Sequence, residues 1–177
     1  EKRSSGINNR KFQPFIKEEK LSAIAVLPFV NMSSDPEQEY FSDGMTEEIT
    51  AHLSTIKGLR VTSRTSVIQY KGKGNAINIR EIAEALNVDN ILEGSVRKAG
   101  YKLRITAQLI NARTDEHIWT EVYDRDLVDV FKIQSEIAHA IADKFKIVIS
   151  TSAEERIVTV PTKNIKAYDL YLQAKAI

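Results

Sequence analysis

The apolar run from Ala23 to Val30 is the feature that most constrains the fold of this chain. Such a continuous β-prone run predicts a strand that is buried on both faces and lies in the middle of a sheet. The run is interrupted by Pro28 and is far shorter than the roughly 20 apolar residues that span a bilayer. It therefore indicates a core strand rather than a membrane segment.

A helix and a second strand are predicted to follow this run. After a loop over Asn31–Glu39, apolar residues recur at helical spacing as far as Gly58, and Leu59–Thr62 then predicts a strand. A strand, a helix and a strand in this order favour a right-handed parallel crossover. Asn78 and Glu81 have the spacing of a capping box and predict the start of another helix. The stripe of the first helix comprises Met45, Ile49, Leu53 and Ile56.

Three more strands are predicted over Asn90–Lys98, Lys102–Ala112 and His117–Asp124, joined by short turns. In the middle strand apolar and polar side chains alternate, which is typical of a sheet with one solvated face. A long amphipathic helix from Leu127 to Val148 is predicted to cover the other face. The predicted fold class is therefore mixed α/β (α+β): a five-stranded mixed sheet in the order β-α-β-α-β-β-β-α, with helices mainly on one face.

Composition divides the chain into four segments. Residues 1–20 are polar with a basic excess, as in a linker or in the flank of a membrane segment outside this chain. Residues 21–150 are predicted to form the α/β domain, and residues 151–163 a second linker. Residues 164–177 predict a helix whose stripe needs neighbours, so we expect the chain to be a piece of a larger protein. That stripe comprises Ala167, Leu170, Tyr171 and Ala174.

Charge and composition argue against several classes of function. The 25 lysines and arginines balance 24 acidic residues, so no global field favours nucleic acid or an anionic membrane. The chain has no cysteine, which excludes disulfides and thiolate metal sites. His52, His117 and His139 lie on different predicted elements, and no serine lies in a nucleophile elbow. We therefore predict no catalytic residue, no metal, no cofactor and no direct nucleic-acid binding.

Asp43 and Gly44, placed before the first helix, and Ser63 and Arg64, placed after the second strand, form a candidate ligand site. If the two strands are parallel, Ser63 and Arg64 lie at a carboxyl edge, where open α/β sheets commonly bind ligands. The expected ligand is an anion or a peptide carboxylate, held by Arg64 and local amides. The alternative is that Asp43 caps the helix and pairs with Arg64.

The solvated sheet face is a candidate interaction surface. Trp119 and Tyr123 are predicted to share this face with Arg97, Arg104 and Gln108. Exposed aromatic side chains surrounded by charge suit a protein contact. The partner is either a separate protein or an adjacent domain of the same chain, and a homodimer through an unpaired edge strand stays open.

Six motifs stand out along the chain: Ile24–Phe29, Asp35–Glu37, Tyr40–Ile49, Val61–Ser66, Ile91–Arg97 and the segment from Trp119 to Arg125. The chain is similar to the domain related to the TolB amino-terminal domain that occurs in bacterial CadC-like transcriptional regulators and some class III adenylate cyclases. The resemblance spans about residues 21–150 and implies a domain without catalytic residues.

This resemblance implies a place within a larger protein. In the family the domain commonly lies between an effector module and a tetratricopeptide array, and Asn164–Leu172 is similar to the opening helix of that array. We therefore expect a non-catalytic sensor or protein-interaction domain, with a small-ligand receptor as the alternative. A membrane contact is expected only through a segment outside this chain. Both membrane-spanning and cytosolic arrangements occur in the family, and the periplasmic side of the inner membrane is favoured over the cytoplasm.

Overall fold

A mixed sheet runs through the protein, in a computed structural model that describes residues 21–73 and 78–176. Its strands are β1 (Ser22–Val26), β2 (Val30–Asn31), β3 (Leu59–Val61), β4 (Asn90–Ala99), β5 (Lys102–Asn111) and β6 (Glu116–Asp126). The strand order is β3-β1-β4-β5-β6, and β2 also pairs with β4. β1 is parallel to β3 and β4, whereas β4, β5 and β6 form the predicted antiparallel meander. The mixed α+β fold class is confirmed.

Helices cover the half of the sheet with the parallel strands differently from the half with the antiparallel meander. The helices are α1 (Glu39–Ser54), α2 (Arg64–Val67), α3 (Ile79–Leu86), α4 (Val130–Lys144), α5 (Thr151–Val158) and α6 (Ile165–Lys175). The main core lies between the sheet and α1, α4, α5 and α6, and includes Ile24, Ile105 and Ile137. A smaller core on the opposite face joins Ala25 and Ile91 to α2 and α3. The parallel half is thus covered on both faces, while the meander keeps one face open.

β1 lies in the middle of the parallel half and is buried on both faces, as the apolar run predicted. The predicted single strand to Val30 is wrong, however, because the chain leaves the ladder around Pro28 and resumes as β2. Proline has no N–H to donate. The next amide, that of Phe29, donates to Thr46 Oγ1 on α1 at 2.9 Å, so the break anchors α1 to the sheet.

Gly94 stands at a crowded point in the middle of β4. A β-carbon at this position would clash with the Thr106 carbonyl oxygen of β5 and would lie 2.6 Å from Cε2 of Phe29. Real β-carbons do not approach other heavy atoms this closely. The absent side chain therefore allows Phe29 and β5 to pack against β4 together.

The segment expected to be a second linker contains α5. Ser150 caps this helix by accepting from the Ala153 amide, and Ala153 and Ile157 are buried. Ser135 Oγ on α4 donates to the Ile157 carbonyl at 2.7 Å. Two apolar residues one turn apart are enough to bind this otherwise polar helix to α4, which is why polar composition misled the prediction. Residues 1–20, the first expected linker, lie outside the described residues.

His139 and Glu154 connect α4 to α5. The histidine donates from Nδ1 to the Ser135 carbonyl at 2.6 Å and from Nε2 to the Glu154 carboxylate at 2.9 Å, which requires the doubly protonated ring. Burial lowers the pKa of His139, but the bonds to Ser135 and Glu154 outweigh it and raise the pKa above its ordinary value. The pair therefore stabilises the fold when the ring is charged.

We expect this pair to make stability depend on pH. Its contribution is fully present below the unfolded-state pKa of about 6.5 and is lost as pH rises through the folded-state pKa. The side chains are 40% and 43% exposed, so screening keeps the effect below about 1 kcal/mol. Urea unfolding from pH 5 to pH 8 should show a steeper decline for the wild type than for His139→Gln, and parallel curves would contradict the assignment.

In the described part of the chain, no helix combines the length and the apolar character that a membrane crossing needs.

Candidate functional site

The structure places Asp43 and Gly44 inside α1, not before the first helix. Asp43 neither caps a helix nor pairs with Arg64, because both of its carboxylate oxygens accept from Lys71 Nζ at 2.7 Å. Burial lowers the pKa of Lys71, but its bonds to Asp43 and Glu39 outweigh it and raise the pKa. The predicted alternative for Asp43 is therefore corrected, and its real partner comes from the loop after α2.

Ser63 and Arg64 do lie at the carboxyl end of β3, where α2 begins. Both residues are exposed. β1 and β3 are parallel, as the prediction required. Ser63 and Arg64 therefore remain candidate ligand-binding residues at the carboxyl edge of the sheet. Asp43 does not, because its carboxylate is paired with Lys71.

Gly44 lies where α1 and α6 contact each other. A β-carbon at Gly44 would lie 2.6 Å and 2.9 Å from the two methyl carbons of Leu172 on α6. Both residues are buried. Gly44 therefore lets α6 approach the α1 backbone.

The open face of the meander holds Arg97, Arg104 and Gln108, as predicted. Arg97 and Arg104 are opposite each other in the β4–β5 ladder, and both are exposed. Arg104 donates to Asp124 of β6, and Arg97 Nε donates to the Met32 carbonyl at 3.2 Å. Gln108 lines a small pocket of about 250 Å³. These side chains form a polar surface without the expected aromatic residues.

Trp119 and Tyr123 lie on the covered face of the sheet, so their predicted position is wrong. Tyr123 is opposite Ile105, and Trp119 is opposite Leu109, in the β5–β6 ladder. Tyr123 is buried in the main core, and Trp119 packs against it. Burial raises the pKa of Tyr123 to about 12. Both aromatic side chains therefore stabilise the core rather than offer a contact surface.

α6 docks on the domain through a polar cluster that the sequence analysis missed. Lys98 Nζ, at the end of β4, donates to Asp169 Oδ1 at 2.8 Å, and the Tyr40 hydroxyl donates to the same oxygen at 2.9 Å. The Lys98 ammonium also lies 5.7 Å and 5.2 Å from the ring centroids of Tyr40 and Phe41. Only 9% of the Lys98 side chain and 22% of the Asp169 side chain are exposed. This ion pair is thus shielded from water.

The electrostatics of the cluster keep both partners charged. Burial lowers the pKa of Lys98, but its bonds to Asp169 and Tyr40 outweigh burial and raise the pKa. Burial raises the pKa of Asp169, but its bonds to Lys98 and Tyr40 outweigh burial and lower the pKa. A second ion pair joins Lys175 of α6 to Glu47 of α1.

Tyr168 and Leu172 form the apolar half of the α6 contact. The Tyr168 ring lies 4.6 Å from that of Phe131 on α4, centroid to centroid, and its hydroxyl accepts from Gln134 Nε2 at 3.2 Å. The predicted helix is confirmed, but its predicted stripe is the exposed one: Leu170 and Tyr171 are 54% and 52% exposed. α6 therefore has a docked face and a second, uncovered apolar face.

Sequence comparisons identify relatives of this chain. The model of a family of second domains, found in HilA/YgeH-like transcriptional regulators, matches residues 19–142. The protein named "Putative adenylate cyclase 3" of Rhizobium meliloti (strain 1021) is 44% identical over 153 residues. That alignment covers 86% of this chain and 26% of the relative, so the chain corresponds to about a quarter of the relative's length.

Solved structures support the same fold. TolB from Acinetobacter baumannii superposes with a TM-score of 0.54 at 12% identity, over 75% of this chain and 30% of that chain. Lipoprotein GNA1162 from Neisseria meningitidis superposes with a TM-score of 0.52 at 20% identity, over 69% of this chain and 97% of that chain. At these identities the likeness concerns the fold alone. The match over residues 19–142 identifies the family: the chain belongs to the second-domain family of HilA/YgeH-like transcriptional regulators.

Proposed function

We propose that this domain is a non-catalytic sensor or protein-interaction domain of a bacterial regulatory protein, and that α6 connects it to the chain that follows. The observation that carries the proposal is the docking of α6 on α1, α4 and β4. One shielded ion pair, one partly exposed ion pair and the buried side chains of Tyr168 and Leu172 hold α6 in place, and we propose that it has a docked and a released state. Such a two-state element is what a change of state needs to pass between domains.

The uncovered face of α6 supports the second half of this proposal. Ala167, Leu170, Tyr171 and Ala174 lie on it and are exposed. We propose that α6 is the first helix of a tetratricopeptide array, whose next helix covers this face. A shift of α6 on the α/β domain would then move the whole array.

The open face of the meander is the proposed contact surface for a protein partner or an adjacent domain. It offers Arg97, Arg104 and Gln108 on a rigid antiparallel sheet. Membership of a transcriptional-regulator family favours a regulatory role over a catalytic one in this part of the chain. We therefore expect no cyclic AMP when the purified chain is incubated with ATP and Mg²⁺, and turnover above a buffer control would contradict this proposal.

Leu172→Ala tests whether α6 behaves as a separate unit. Removing this buried side chain leaves a cavity against Gly44 and should weaken the docking of α6 by about 2–4 kcal/mol. Native-state hydrogen exchange should then show faster exchange of the α6 amides, while the amides of β4 and β5 keep their protection. The matched control is Leu170→Ala on the exposed face, which should change exchange by less than about 0.5 kcal/mol.

A different pattern of hydrogen exchange in α6 would contradict the proposal. If the α6 amides of the wild type exchange only through global unfolding, and Leu172→Ala accelerates the whole sheet to the same extent, α6 is a fixed part of the core. The proposed relay through α6 would then be wrong.

A further inference from the structure

A groove of about 920 Å³ lies at the end of the sheet where β1 begins, away from α6. Four separate parts of the chain line it: the start of β1, β3, α3 with the turn after it, and the turn between β5 and β6. Ligand sites in proteins are commonly of this size, about 300–1,000 Å³. The groove shares no residue with the α6 contact or with the open face of the meander.

Small apolar side chains form the floor of the groove. Ala23 of β1, Ala83 of α3, Val88 and Ala112 are all buried and all line it. These four side chains belong to the small core that joins α3 to the sheet, and the groove opens beside that core. A ligand with short aliphatic groups would therefore find a matching apolar surface.

Three arginines from different elements surround this floor. Arg60 of β3 donates to the Asn87 carbonyl, whose residue ends α3 in a left-handed conformation with φ of 52°. Arg113 donates from Nη2 to Asp89 Oδ1 at 3.0 Å. The Arg80 guanidinium has no partner among residues 21–73 and 78–176. Each guanidinium carries five N–H donors, so all three keep donors for a bound anion.

The acidic residues of the groove are Glu84 and Asp89. Asp89 accepts from Arg113, and Glu84 is the second carboxylate of a lining that also includes Arg60 and Arg80. The balance is a small positive excess around an apolar floor. Such a balance suits carboxylates interleaved with short apolar side chains better than it suits the dense charge of a nucleic-acid backbone.

We propose that this groove binds an acidic peptide segment of a partner protein, with aliphatic side chains on the alanine floor and carboxylates on Arg60 and Arg80. The open groove and the separation of the arginines over three elements fit an extended chain with several carboxylates. This site goes beyond the proposed function, because it adds an input surface at the opposite end of the sheet from the output helix.

Fluorescence anisotropy with a labelled, terminally blocked hexapeptide of alternating glutamate and alanine tests the site at low ionic strength. Arg80→Gln should weaken binding about tenfold, as loss of a hydrogen bond between charged groups does. Arg60→Gln should weaken it similarly, while Glu84→Gln should strengthen it. Arg97→Gln on the open sheet face is the matched control and should leave binding unchanged. Circular dichroism and thermal unfolding establish that each variant is folded.

Four results would overturn the proposal: no binding of this peptide by the wild type, equal weakening by Arg97→Gln and Arg80→Gln, equally tight binding of the lysine–alanine counterpart, or displacement of the peptide by free glutamate at the same carboxylate concentration. The last result would make the groove a receptor for small carboxylates instead. The hydrogen exchange of α6 does not depend on this groove, so failure here is distinct from failure of the proposed relay.

Discussion

Replacing Asp169 with alanine is expected to release α6 from the α/β domain and to weaken its docking by about 2–4 kcal/mol. The substitution removes the carboxylate that neutralises Lys98, whose side chain is only 9% exposed. It also removes the acceptor of the Tyr40 hydroxyl. A shielded ammonium without its counterion costs far more than the loss of an exposed ion pair. Denaturant unfolding and hydrogen exchange of the α6 amides measure the effect.

Two comparisons make this result specific. Asp124→Ala removes an exposed carboxylate that pairs with Arg104, and should change stability by less than about 1 kcal/mol. Lys98→Met combined with Asp169→Leu should recover much of the loss, because no charge is then left without its partner. If Asp169→Ala proves as harmless as Asp124→Ala, the cluster does not hold α6.

Gly94→Ala is expected to lower the free energy of unfolding by about 2–4 kcal/mol, although it adds only one methyl group. The new β-carbon would clash with the Thr106 carbonyl oxygen and with the Phe29 ring. A ring can move aside, but the carbonyl belongs to the β4–β5 ladder and moves only if the ladder distorts. Chemical denaturation followed by tryptophan fluorescence of Trp119 measures the change.

The design of this test separates the two clashes. Phe29→Leu in the Gly94→Ala background should recover only part of the stability, because the backbone clash remains. Ser95→Ala, at the adjacent position of β4, is the control and should be nearly neutral. Full recovery by Phe29→Leu would mean that the ring, not the ladder, imposes the glycine.

The elements with a strong local signal were predictable from the sequence. Burial of β1 on both faces leaves an unbroken apolar run, and the buried face of α1 leaves a stripe at helical spacing. The alternation in β5 likewise indicated which face of the meander is open. Each signal is carried by neighbouring residues, so no knowledge of the tertiary structure was needed.

The register of β5 and β6 was not predictable in this way. A one-residue change of pairing moves every side chain of a strand to the other face. The ladder has an irregularity between Leu109 and Ile110, where the partners change from Trp119 to His117. This shift decides which face Trp119 and Tyr123 take. Local sequence does not encode it, so the predicted aromatic surface was wrong.

The docked face of α6 and the position of Gly44 depended on contacts distant in sequence. α6 carries apolar residues on two faces, and the face with Tyr168 and Leu172 is selected by Gln134 and Gly44. Glycine usually indicates a turn, which placed Gly44 ahead of the helix in the prediction. In the structure Gly44 lies within α1, and its missing side chain makes room for Leu172 of α6. The two errors therefore have one cause.

The α6 contact joins residues that are far apart in the chain, which bears on folding during synthesis. Tyr40 and Asp169 are separated by 129 residues in the chain, and Lys98 and Asp169 by 71. Every strand among the described residues ends by residue 126, so all of these strand residues are synthesised before α6. We therefore expect α6 to dock on a surface that β4 and α1 can form without it. We expect the closing of this contact to be a late step of folding, and a chain segment joined to α6 would take its position with that step.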